Sequence, residues 1–73
     1  MLLYTNRTHS PAIVTLKIEI AEDPEGALMI GTEAFFEKFG GKIGYHDVVV
    51  PSGKELHLIG NTIAAFIAVR SGS

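Results

Sequence analysis

The chain has 73 residues, six basic and eight acidic, with a formal net charge of -2. Apolar residues make up 47%, charged residues only 19%, and cysteine is absent. This excludes a disordered tail, a disulfide scaffold and a cysteine-ligated zinc finger, and it gives no electrostatic basis for binding nucleic acid.

Residues 1–11 read as an N-terminal arm. Pro11 fixes its own φ and pushes Ser10 to an extended conformation, which breaks the chain there. Leu2, Leu3 and Tyr4 are apolar enough for a short edge strand or for a flap over a neighbouring apolar surface. From 12 to 21 the alternation is clean, with Val14, Leu16, Ile18 and Ile20 on one face and Thr15, Lys17 and Glu19 on the other. A period of two with β-branched residues predicts a half-buried strand.

Next, Asp23 is a good helix N-cap, Pro24 suits a first helical position, and Glu25 favours the positive end of a helix dipole. Leu28, Thr32, Phe35 and Phe39 recur at three- and four-residue steps, and Gly40-Gly41 supplies a stop. These signals predict a helix over 24–39. Gly26 and Gly31 oppose it by about 1 kcal/mol each relative to alanine.

Strands are predicted over 42–50 and 54–59, joined by a Pro51-Ser52-Gly53 turn into a hairpin. Its register sets Val48 opposite Leu56, with Asp47 opposite His57 on the other side. A one-residue slip would mix core and solvent faces, so this register is favoured. Gly60-Asn61 is a two-residue hairpin signal, leading to a last strand over 62–70. The competing reading of that segment is a terminal helix capped by Asn61. Residues 71–73 read as a frayed tail.

The expected architecture is therefore α+β: a single domain over 12–70 in the order β-α-β-β-β, an antiparallel sheet with one helix packed on one face. The alternative is a small all-β sandwich. The expected core is Val14, Leu16, Ile18, Ile20, Leu28, Phe35, Phe39, Val48, Leu56, Leu58, Ile63 and Ile67.

On that register the sheet face away from the helix presents Tyr45, Val49, Ile59 and Phe66. Apolar side chains on a face normally left to water indicate a contact surface. A domain of this size covers little of its own apolar surface, and oligomerisation is one common supplement. A homo-oligomer is expected, with another protein as a further partner.

Candidate chemistry is sparse. Asp47 and His57 form the one carboxylate–imidazole pair that the register assembles, as a general base requires. No nucleophile or polarising group stands within reach of them, and a cross-strand charge pair is the favoured explanation. His9, His46 and His57 have no helical i, i+4 spacing and no HExxH pattern, so no metal is expected. Gly40-Gly41-Lys42 lacks the Walker spacing, so no phosphate loop and no cofactor are expected. Met1-Leu2-Leu3-Tyr4 runs at once into Thr5, Asn6 and Arg7, which is no signal peptide. The apolar run from Ile63 to Val69 falls far short of the ~20 residues that span a membrane. A soluble protein, cytoplasmic by default, is expected.

The stretch Val48-Val49-Val50-Pro51-Ser52-Gly53-Lys54-Glu55-Leu56-His57-Leu58-Ile59-Gly60-Asn61-Thr62-Ile63-Ala64-Ala65-Phe66 loosely resembles the hairpins of the tryptophan RNA-binding attenuation proteins and related all-β sandwiches. The resemblance implies an all-β fold and a ring that binds RNA or a small ligand. It requires residues 24–39 to be strands. The basic residues that such a family uses for RNA are not matched, with His57 and Ile59 at the strand positions concerned.

The function expected first is a non-enzymatic protein–protein interaction module. It would self-associate through an apolar sheet face or edge and act as a regulator, inhibitor or assembly subunit. The alternatives are a small oligomeric enzyme with a subunit-boundary site around Asp47, His57 and Tyr45, and the ring-forming binder.

Overall fold

A computed structural model describes residues 1–32 and 34–72. The chain forms seven strands: β1 (Leu2–Thr5), β2 (Ala12–Ile20), β3 (Leu28–Gly31), β4 (Phe36–Phe39), β5 (Gly44–Val50), β6 (Glu55–Leu58) and β7 (Ile63–Ser71). They make two antiparallel sheets, one of four strands ordered β1-β6-β3-β4 and one of three ordered β5-β2-β7. Among the described residues no helix packs on a sheet face, and none is long and apolar enough to cross a membrane.

The expected α+β architecture is thus replaced by two antiparallel sheets, and the expected helix over 24–39 is the main correction. Its start signal is real but short. Asp23-Pro24-Glu25 opens a single 3-10 turn, Pro24–Gly26, and the Asp23 side chain makes no capping hydrogen bond. The chain then enters β3, where Leu28 pairs with Leu58 and Ile30 with Leu56. Gly31 ends β3 against the next turn. A Cβ there would stand 1.9 Å from the Phe35 carbonyl oxygen. Thr32 and Phe35 exchange backbone hydrogen bonds of 2.7 and 3.1 Å, and β4 returns antiparallel to β3. A helix could satisfy its backbone locally, whereas these segments find partners across a sheet.

The expected hairpins are also corrected. β5 pairs with β2, and β6 pairs with β1 and β3, so Pro51-Ser52-Gly53 carries the chain from one sheet to the other. Gly53 takes φ +76° and Gly60 φ +63°, conformations that glycine adopts without steric cost. Gly60-Asn61 likewise leads from β6 in one sheet to β7 in the other, where β7 lies along β2 and not along β6.

The core lies between the sheets. Val14, Leu16, Ile18, Val48 and Val50 come from the three-stranded sheet, and Leu28, Leu56 and Leu58 from the four-stranded one. Of the expected core residues, Ile20, Phe35, Ile63 and Ile67 are exposed, and Phe39 is only partly buried.

Asn6 is the buried polar residue of this core region. Its Nδ2 donates to the carbonyls of Ser10 and Val50, both at 2.9 Å. Its Oδ1 accepts from the Thr8 amide at 3.0 Å and the Thr8 hydroxyl at 2.6 Å. Its own amide donates to Lys54 O and its carbonyl accepts from Gly53 N, both at 2.9 Å. One side chain therefore fastens the β1–β2 connection to the β5–β6 connection, where the chain passes between sheets in each case.

Candidate functional site

Asp47 and His57, expected opposite each other, lie in different sheets. Asp47 sits on β5 opposite Thr15. It accepts from Thr15 Oγ1 at 2.6 Å and from Arg70 Nη2 at 3.1 Å, and Arg70 Nη1 also donates to Thr15 Oγ1 at 3.2 Å. The Thr15 hydrogen bond first, and Arg70 second, hold the Asp47 carboxyl below its ordinary value of 3.8. A lowered carboxyl is a poorer base, and no imidazole joins this network.

His57 belongs to a second cluster. Its partially buried ring meets Phe36 edge-on, with centroids 4.8 Å apart. Nε2 lies 3.5 Å from Glu55 Oε1 but is buried without a hydrogen-bond partner. Thr5 Oγ1 donates to the other Glu55 oxygen at 3.4 Å. The carboxylate is central here, so the imidazole does not reach the hydroxyl as a nucleophile–base pair requires. A cleft of about 390 Å³ lies beside this cluster, lined by Thr5, Thr32, Ala34, Gly53 and Glu55. Among the described residues it offers the Glu55 carboxylate and the hydroxyls of Thr5 and Thr32, with no basic side chain in its wall.

His46, the other strand histidine, registers with Leu16, and its Nε2 donates to the Lys42 carbonyl oxygen. Among the described residues no three His, Asp or Glu side chains converge as metal ligands would.

The four apolar residues expected as one patch are dispersed. Tyr45 and Val49 lie on the outer face of the three-stranded sheet, opposite Lys17 and Ile13. Phe66 registers with buried Leu16 and so belongs to the inner side of β7. Ile59 follows β6, is half-buried, and donates its amide to Ala27 O. The outer face is also more polar than expected. Lys17 Nζ lies 5.5 Å from the Tyr45 ring centre, and the Thr15–Asp47–Arg70 network occupies its middle.

The sequence allowed for an apolar edge without locating it, and the structure places an exposed apolar edge at β7. β7 has nine residues, none of them buried, and among the described residues its strand partner is β2. Phe66 and Val69 register with buried Leu16 and Val14, on the side that faces the core, yet remain 48% and 38% exposed, and Ile63, opposite the exposed Ile20, is 52% exposed. Ile67, at a register shift, is 51% exposed. The signal was present in the sequence: from Ile63 to Val69 both faces are apolar, which suits a strand with neighbours on every side.

Fold and surface together define a small antiparallel β-sandwich with an open apolar edge. Comparison of the chain with models of protein families, with curated proteins and with solved structures finds no match.

Proposed function

We propose that this chain is a small non-enzymatic protein–protein interaction module that self-associates and serves as an assembly subunit or regulator. The observation that carries the reading is β7. A nine-residue edge strand with no buried residue leaves a contiguous apolar rim on a domain with little core of its own. The separation of Asp47 from His57 removes the pair on which the enzyme reading rested.

Native mass spectrometry of the untagged chain tests this. A defined multiple of 7.8 kDa is expected. Phe66→Asp is expected to shift that species to the monomer while the far-UV spectrum stays that of a β protein. A wild-type chain that stays monomeric at millimolar concentration contradicts the proposal.

A further inference from the structure

We infer that the partner at this surface is a second copy of the chain, and that it joins by laying a strand along the open edge of β7. This rests on the interaction-module reading above and specifies both where and how the contact forms.

The choice between face and edge follows from the side chains. The outer face of the three-stranded sheet is crossed by the Thr15–Asp47–Arg70 network and by Lys17 over Tyr45. Covering that face would strip water from five charged or hydroxyl groups. The edge carries no such penalty. From Ile63 to Val69 every side chain is apolar, and Arg70 is already turned toward Asp47 and Thr15.

Edge strands in stable monomers are commonly kept short, charged or interrupted by proline. β1 and β4, the edges of the other sheet, have four residues each. β7 has nine, with one charge and no proline, and its pairing with β2 is interrupted by two register shifts, one beside Ile67 and one between Ala64 and Ile63. A strand laid there gains backbone hydrogen bonds along the edge as well as apolar contact, so the surface fits another strand better than a flat or helical partner.

The choice of a second copy follows from where the uncovered side chains sit. Phe66 and Val69 continue the rows of buried Leu16 and Val14, so this part of the rim is an unfinished margin of the chain's own core. A cover that completes a core is needed whenever the chain is folded. Another copy is present at matching supply, and two neutral apolar strands meet without like charges.

The test combines native mass spectrometry with amide hydrogen exchange on the full chain and two variants. Ile67→Lys places a charge on the edge, and Tyr45→Asp places one on the outer face. The expected result has three parts. Wild-type amides of β7 exchange at least tenfold more slowly at millimolar than at micromolar concentration. Ile67→Lys is monomeric with β2 and β5 amides still protected. Tyr45→Asp assembles as the wild type does. If the wild type assembles but Tyr45→Asp dissociates it and Ile67→Lys does not, edge pairing is overturned and the module reading stands. If the wild type assembles with β7 amides equally exposed at both concentrations, edge pairing is again overturned. A monomer at millimolar concentration overturns both.

Discussion

Asn6 uses its full side-chain hydrogen-bonding capacity inside the protein, two donors and two acceptor sites, at a position with no solvent exposure. Truncation removes the buried bond to the Val50 carbonyl and at once the bonds to Ser10 and Thr8 that hold the connection in place, so the cost is that of a buried network and not of one weak contact. Asn6→Ala is expected to destabilise the fold by about 2–4 kcal/mol, read as a lower urea midpoint at unchanged slope. Asn6→Asp is expected to be at least as damaging, because a carboxylate oxygen would face the Ser10 and Val50 carbonyls. Asp47 is the opposite case, exposed and held by hydroxyl and guanidinium. Its folded-state pKa is lowered, so its contribution to stability is fully present above the unfolded value of 3.8 and is lost as pH falls through the lower folded value. The urea midpoints of wild type and Asp47→Asn are therefore expected to differ at pH 7 and to converge near pH 2. The difference is small for so exposed a group, and a gap that persists at the acid limit would refute the ionic origin.

At the scale of the element, alternation told which face a residue takes but not which strand it meets. Val48, Leu56 and Leu58 were legible as core, and all are buried. Their expected partners were wrong, because Val48 meets Val14 of β2 and Leu56 meets Ile30 of β3. The turn chemistry of Pro51-Ser52-Gly53 and Gly60-Asn61 fits a hairpin and a passage between sheets equally well, and only long-range packing decides. The segment 24–39 failed for a related reason. Leu28, Phe35 and Phe39 satisfy a helical period, but Leu28 and Ile30 also satisfy a strand period over so short a run. The two glycines were the informative residues. Gly31 is a glycine because the Phe35 carbonyl and the Phe36 Cα occupy the space of a side chain, 1.9 and 2.6 Å from a would-be Cβ. Both neighbours are backbone and cannot swing aside. Gly31→Ala is expected to pry β3 from β4 at the cost of about 2–3 kcal/mol. That corresponds to a fall of roughly 10–20 °C in the thermal midpoint of a domain this size, with exchange protection lost first at Phe36–Phe39. Of the rim, Phe66 was legible as an uncovered apolar side chain, while Ile63 and Ile67 were not, since they were counted into the core.

At the scale of the whole molecule, the same count of buried residues bears on stability and on function. The core draws on both sheets, yet β7, one of the two longest strands, contributes no fully buried residue to it. If a second copy covers that strand, folding and association are one equilibrium, and the apparent stability depends on how much chain is present. For a dimer, each tenfold rise in concentration adds about 1.4 kcal/mol per pair of chains, or half of that for each chain. Spread over the unfolding entropy of a domain this size, that is a rise of about 3–6 °C in the thermal midpoint per decade, and larger assemblies give more. Scans of the wild type from micromolar to millimolar are expected to show this drift. Phe66→Asp is expected to abolish it, leaving a concentration-independent midpoint at or below the lowest wild-type value. A flat wild-type series would mean that the monomer carries its full stability alone, with the rim of Ile63, Phe66 and Val69 left to water.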